Sequence, residues 1–385
     1  MTTKLRAASF QDGAVTNAKI AADAITNAKI ADDAITNAKI DSTVNLGRRN
    51  LLINGNFQCW QRNTNVTGLG TDSGYFTADR WRINLGGTSA GRFTMSRTAG
   101  DPDGFNYGLV INCTTADTSI AADEQLRLNY RIEGQDLQQL EKGTSTAKAV
   151  TISFYAKVDG SATNFVVELQ DNNNTRTISK MFTFTNTWTR YYWTVPGDTT
   201  GALNQDNSMS MTLNFWLNAG ANHTSGTLNT SWNARTNANV AAGIHSLFAS
   251  TSNEFYLAGV QLEVGEKATP FEHRSFGEEL VLCQRYYQVI TDGNGSAFQA
   301  SQAGMSLEFR QKMRANPALS LSGAVSITNG YAWDKTQSTV SIAIIASRVT
   351  TSGVQVALDY FSGLTQYQPI HINSSGGNIL VDAEL

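Results

Sequence analysis

Gly87-Thr-Ser89-Ala-Gly91 carries the letters of a nucleophile elbow, in which a tight strand-to-helix turn lifts a serine hydroxyl toward an acyl carbon. That chemistry needs a buried strand before the serine and a helix after it. Here the flanks are a polar loop and then Arg92-Phe-Thr-Met-Ser96, which reads as a strand. The four histidines, His223, His245, His273 and His371, are far apart and show no metal spacing, and His273 reads as structural. Asp101-Pro-Asp103-Gly104 has oxygens that calcium accepts, but the same letters make a good turn without metal, and the plain turn is the reading taken. Cys59, Cys113 and Cys283 stand alone, an odd and scattered set that argues against a disulfide framework and against zinc. They read as small buried apolar residues. No catalytic residue, metal or cofactor is expected, and the chain reads as a non-enzyme.

The seven tryptophans raise another chemistry, because flat ring faces stack on sugars. Large aromatics also dominate β cores. Trp60, Trp81 and Trp193 lie in apolar strand contexts and read as core. Trp232 differs. The stretch 227–239 around it is polar and loop-like, which makes Trp232 the candidate carbohydrate or partner contact.

The elements that would position these residues are strands. From Arg49 onward, runs with alternation or β-branched enrichment predict strands over Tyr107–Cys113, Val150–Val158, Asn164–Gln170, Lys180–Phe184, Thr189–Val195, Ser208–Leu217 and Glu254–Glu263. Gly/Asn/Asp turns such as Asp159-Gly160 and Asp171-Asn-Asn-Asn174 separate them. Strands at this spacing without intervening helices predict an antiparallel sandwich. A short helix is expected over Phe276–Tyr287, with Leu280, Cys283 and Tyr287 at helical spacing. Further strands are expected over Val325–Thr328, Ser338–Arg348, Gly353–Tyr360 and Asn378–Ala383. Those strands would leave edges exposed, a hazard that pairing across subunits would relieve.

Bulk properties narrow the function classes. A chain of 385 residues suggests two or three units, and 41% hydrophobic residues suffice for real cores. The charged fraction of 16% is well below the roughly 25% of ordinary soluble domains. A net charge of −3 without a basic cluster disfavours a grip on nucleic acid. No apolar run approaches the roughly 20 residues of a membrane span. Lys4 and Arg6 precede a polar stretch, unlike a signal peptide, so synthesis in the cytoplasm is expected, with delivery to any surface as part of an assembly.

Near the N-terminus, residues 14–20 read Ala-Val-Thr-Asn-Ala-Lys-Ile; 24–30 and 34–40 both read Ala-Ile-Thr-Asn-Ala-Lys-Ile. The sequence period is ten, but Val15, Ile20, Ile25, Ile30, Ile35 and Ile40 recur every five. On a helix, five residues turn the chain by roughly 500°, so successive isoleucines form no stripe. On a flat strand an odd spacing alternates faces. The spacing suits short extended pieces with bends at the Thr-Asn pairs. So thin a segment closes a core only against neighbouring repeats or chains, which points to an oligomeric shaft with these six residues inside; a linker without fixed structure is the competing reading.

Tandem Asn-Ala-Lys-Ile decapeptides of this kind resemble those of bacteriophage tail fibres and related virion fibres, just after the virion-attachment end. The stretch from Asn50-Leu-Leu-Ile-Asn-Gly-Asn-Phe57 through Ile152-Ser-Phe-Tyr-Ala-Lys157 and Trp188-Thr-Arg-Tyr-Tyr-Trp193 to Phe255-Tyr-Leu-Ala-Gly-Val-Gln-Leu-Glu263 resembles the galactose-binding-like or carbohydrate-binding-module-like jelly rolls of phage tail proteins. The resemblance implies an all-β, trimeric fibre with a segment over 1–12 that docks on other virion proteins of the tail, adaptor or neck. A decapeptide shaft over 13–47, a jelly-roll sandwich over 48–275, and a short helix with a small β tip over 276–385 would follow. The implied function is attachment to the host-cell surface, with a glycan as target, as part of the virion. The alternative is an architectural head or neck fibre without a receptor role. In this fold the sugar site is expected on variable loops.

Overall fold

The computed structural model describes residues 48–99, 102–329, 335–339, 342–373 and 377–385. The repeat with Val15, Ile20, Ile25, Ile30, Ile35 and Ile40, together with Asp101 and Trp333, lies outside the described residues.

The described chain is all-β, with antiparallel pairing throughout. Twelve strands form two facing sheets. The first has the order β1 (Asn65–Leu69), β3 (Arg92–Ala99), β4 (Tyr107–Thr115), β12 (Glu254–Val264), β6 (Val150–Asp159) and β9 (Thr189–Val195). The second runs β11 (Asn233–Ala234), β8 (Arg176–Thr183), β7 (Asn164–Asp171), β10 (Met209–Ala219), β5 (Gln125–Glu133) and β2 (Trp81–Gly86). Alternation decides what each strand buries. In β5, Leu126, Leu128, Tyr130 and Ile132 turn into the core, leaving Gln125, Arg127, Asn129 and Arg131 on the outer face. The inner faces meet through aromatics: Phe154 of β6 stands edge-on to Phe215 of β10 at 5.2 Å, and Phe165 of β7 to Phe255 of β12 at 5.6 Å. Strand β12 is irregular between Ala258 and Gln261, where Gly259 holds φ at +55°. The Phe105 ring packs where a Cβ on Gly259 would stand, 2.4 Å away, so no larger residue fits.

A capping box at Ser275 and Glu278 starts helix α2, Phe276–Gln284. The segment read as one helix to Tyr287 stops earlier, because Tyr287 opens strand β13, Tyr287–Ile290. Strand β22 (Ile379–Asp382) lies between β13 and β16 (Ala318–Leu321) in a three-stranded sheet. The remaining strands form a sheet ordered β18 (Lys335–Thr339), β17 (Val325–Asn329), β21 (Pro369–Asn373), β14 (Asn294–Gln299), β15 (Gln302–Glu308), β20 (Gly353–Leu358) and β19 (Ile342–Val349). The stretch read as one strand over Ser338–Arg348 is thus divided between two strands at the two ends of that order. Strand-like composition cannot reveal a change of pairing partner. These sheets enclose a second core around Ile327, Val356, Ile370 and Val381.

Buried charges fasten the end of the described chain to the sandwich. Arg62 reaches Asp79 at 3.3 Å, Asp382 at 3.3 Å and Glu384 at 3.4 Å, and its guanidinium lies 3.6 Å from the centre of the Tyr287 ring. Arg285 bonds Glu133 at 2.8 Å, and Arg314 donates to the carbonyls of Asn207 at 2.8 Å and Ala383 at 2.9 Å. Burial pushes the Asp79 carboxyl from 3.8 up to about 6, against the pull of Arg62 and of the bonds from Gln61. A carboxyl raised in the folded state favours folding at low pH, and that contribution is lost as pH rises through the folded value. Asp79→Asn should therefore gain in melting temperature, relative to the parent chain, between about pH 4 and about pH 7. Thermal denaturation at both pH values reads this directly, and an unchanged gap would contradict it.

Candidate functional site

The outer face of the second sheet is rich in arginines and amides. Register sets three rows across it. Arg82, Asn129, Asn214, Glu168 and Ser179 form one row. Asn84, Arg127, Trp216, Val166 and Met181 form the next, and Arg131, Thr212, Gln170 and Thr177 the third. Apolar residues in the Arg127 row, Trp216, Val166 and Met181, are covered by the chain after β10. Helix α1, Ala221–Thr224, and the turns beyond it bring Val240 and Ala241 onto Trp216 and Val166, with Leu228 and Ile244 packed around them. Trp216 is fully buried there and donates its indole N–H to Glu168 at 2.7 Å.

The covering segment leaves part of the face open as a cleft of about 310 Å³. That is near the lower end of the roughly 300–1,000 Å³ of small-molecule sites. Its walls include Asn84, Arg127, Asn129, Arg131, His223 and Arg235. Arg127 donates to Asn84 Oδ1 at 3.0 Å and lies 4.7 Å from the centre of the Trp216 ring. Arg235 pairs with Glu168 at 3.4 Å. Arg131 donates an N–H to an oxygen of Leu385. Burial, with Arg235, Arg131 and Arg82 close by, brings Arg127 from 12.5 down to about 10 despite Glu168. Burial, with Arg127 and Arg235 close by, holds His223 below its ordinary value.

Many polar atoms here are buried and lack a hydrogen-bond partner. They include Arg82 Nη1, Gln125 Oε1, Arg127 Nε, Asn129 Oδ1, Arg131 Nε, Asn214 Oδ1 and His223 Nδ1. A folded protein leaves only a few such atoms per hundred residues, because each one costs about 1–3 kcal/mol. Gln125, Arg127, Asn129, Arg131 and His223 among them line the cleft, so its walls set donors beside acceptors, which suits a ligand rich in hydroxyls.

Of the residues named from sequence, His223 lines this cleft, and Trp232, Ser89 and the cysteines fall elsewhere. Trp232 is half-buried against the main core, and its indole N–H donates to the Pro196 carbonyl at 2.8 Å. It lines a small cavity with Lys142 and Asp198 that shares no lining residue with the cleft. Lys142 there pairs with Asp171 at 2.6 Å and Asp198 at 3.0 Å. Ser89 lies in the connection between β2 and β3; its hydroxyl donates to Asp117 at 3.0 Å, and a strand follows it. All three cysteines are buried and free. Among the described residues, no three His, Cys, Asp or Glu side chains converge as a metal site would require.

Sequence reasoning passed over β5, which supplies Arg127, Asn129 and Arg131. The signal was there: Gln125-Leu-Arg-Leu-Asn-Tyr-Arg-Ile-Glu133 alternates at every position.

No family model matches the chain, and no curated protein does. Among solved structures, a carbohydrate-binding module of family 4 aligns at 16% identity and a TM-score of 0.29, over 55% of this chain and 98% of the module. A family 61 module solved with β-1,4-galactotriose aligns at 8% identity and 0.30, over 57% of this chain and 100% of its own. The enzymatically active domain of tailspike protein 4 from bacteriophage CBA120 aligns at 10% identity and 0.28, over 48% of this chain and 19% of that one. Likenesses of this size place the chain in no family and name no ligand for it.

Proposed function

We propose that this chain is a non-catalytic structural component of a phage tail fibre. In this reading residues 13–47 assemble a homotrimeric shaft, 1–12 dock on other virion proteins, and the domains beyond attach the particle to a host surface glycan. The observation that carries the ligand assignment is the cleft on the outer face of the second sheet, lined by amide, imidazole and guanidinium side chains. Hydroxyl-rich ligands are held by such groups, which serve sugar oxygens as donors and acceptors at fixed positions. The five-residue isoleucine spacing supports the shaft, because a single chain cannot bury those residues.

Two measurements on the full chain test this. Light scattering at low micromolar concentration should give three times the chain mass of 41.7 kDa; a clean monomer would overturn the shaft. Glycans from candidate host surfaces, printed as an array, should retain the chain. Failure to bind any of them, with the trimer intact, would favour the architectural head or neck fibre.

A further inference from the structure

The glycan reading leaves open what kind of sugar the cleft accepts, and its charge speaks to that. Three arginines line it, Arg127, Arg131 and Arg235, with Arg82 beside Asn129 in the adjoining row. The carboxylate that meets them is Glu168, and its two oxygens are already taken up by Thr177 at 2.7 Å, Asn214 at 3.1 Å, Trp216 at 2.7 Å and Arg235 at 3.4 Å. Arg82 and Arg127 have no ion-pair partner among the described residues, and Arg131 gives one N–H to an oxygen of Leu385 while its Nε keeps none. Each of the three also keeps a buried guanidinium nitrogen without an acceptor.

Guanidinium groups held close together and partly out of water repel one another and cost solvation unless an anion joins them. The fork of an arginine matches the two oxygens of a carboxylate. The aromatic surface that neutral sugars use for stacking is missing here, since Trp216 is sealed beneath Val240 and Ala241. The His223 ring and the Asn84, Asn129 and Gln170 amides remain to meet hydroxyls.

Resting on the glycan reading, we propose that the cleft binds an acidic saccharide, its carboxylate seated between Arg127 and Arg131 with Arg82 adjoining. The outer face of a β-sandwich then selects by charge, and neutral sugars are disfavoured because their hydroxyls accept from the guanidinium groups without supplying the countercharge.

The test presents the full chain to an array holding uronate- and sialate-bearing oligosaccharides, their methyl esters, and neutral oligosaccharides. Sulfated sugars are included as a second anion source. Carboxylate-bearing sugars should be retained, and their esters should bind about 10–100-fold more weakly, the range of a lost charge-assisted bond. Arg127→Gln and Arg82→Gln should reduce acidic binding by a similar factor. Arg127→Lys should recover only part of it, since a lysine keeps the charge and loses the fork. Melting curves of each variant separate lost binding from lost folding. Equal retention of acids and their esters, or unchanged acidic binding in a folded Arg127→Gln chain, would overturn the acidic assignment while leaving the glycan reading standing. Preference for sulfated over carboxylated sugars would overturn the carboxylate. Retention of no saccharide at all would remove both.

Discussion

Arg80→Ala is expected to destabilise the chain by about 3–5 kcal/mol, the range found when one partner of a buried ion pair is removed. Arg80 is 1% exposed and sits just before β2. Its guanidinium bonds Glu384 and the Arg131 carbonyl, the latter at 2.8 Å, and lies 3.5 Å from the centre of the Tyr286 ring. The pair joins residues 304 positions apart in sequence and ties the end of the described chain to the sandwich. Removing it leaves Glu384 buried with only the longer contact to Arg62. Arg80 also holds φ at +73°, a conformation that costs a non-glycine residue about 1–2 kcal/mol, so the contacts at its tip sustain the backbone at its base. Denaturant titration followed by tryptophan fluorescence measures the loss. A double-mutant cycle with Glu384→Gln should return a coupling energy well above that of a surface pair, about 0–1 kcal/mol. Additive effects would show that Arg80 acts through packing on Tyr286 instead.

Much of the sandwich was legible in the sequence. Strands β4, β6, β7, β9, β10 and β12 lie within two residues of their expected limits, because each is long and either alternating or rich in β-branched residues. Strand β5 escaped because arginines and amides fill every second position, which dilutes its apolar signal although its period of two is perfect. The same dilution hid the cleft. Arg82, Arg127 and Asn214 come from three separate strands, and only the sheet order β10-β5-β2 brings them into neighbouring rows. No local pattern encodes that order. Trp232 was singled out because its flanks are polar, yet a polar stretch of chain can still lay one ring against a core, as its contacts with Pro196 and the main cluster show. Trp216 presents the converse. Its strand context is apolar, but it points outward and is buried by a segment whose covering residues, Val240 and Ala241, stand in an otherwise polar run.

Glu168→Ala should cost a comparable 3–5 kcal/mol or so, and the reason lies in how many donors it serves. The carboxylate is fully buried on the outer face of the second sheet. Its removal strands the Trp216 indole N–H, the Asn214 amide, the Thr177 hydroxyl and the Arg235 guanidinium, each a buried or half-buried donor. A buried donor without an acceptor costs about 1–3 kcal/mol, more where it is charged. Glu168→Gln keeps the shape, retains one carbonyl oxygen, and should lose about half as much. The two properties of the site then move in opposite directions. Neutralising Glu168 removes the carboxylate that offsets the cleft arginines, so the folded Glu168→Gln chain should hold an acidic saccharide more tightly, by several-fold at low salt, while melting at a lower temperature. That advantage should shrink as salt is raised, since the interaction is electrostatic and the cleft is partly open to solvent. Calorimetric titration of the variant at two salt concentrations, beside its melting curve, reads both effects. A loss of affinity that follows the loss of stability would mean that Glu168 serves the cleft only by holding the sheet and its cover together.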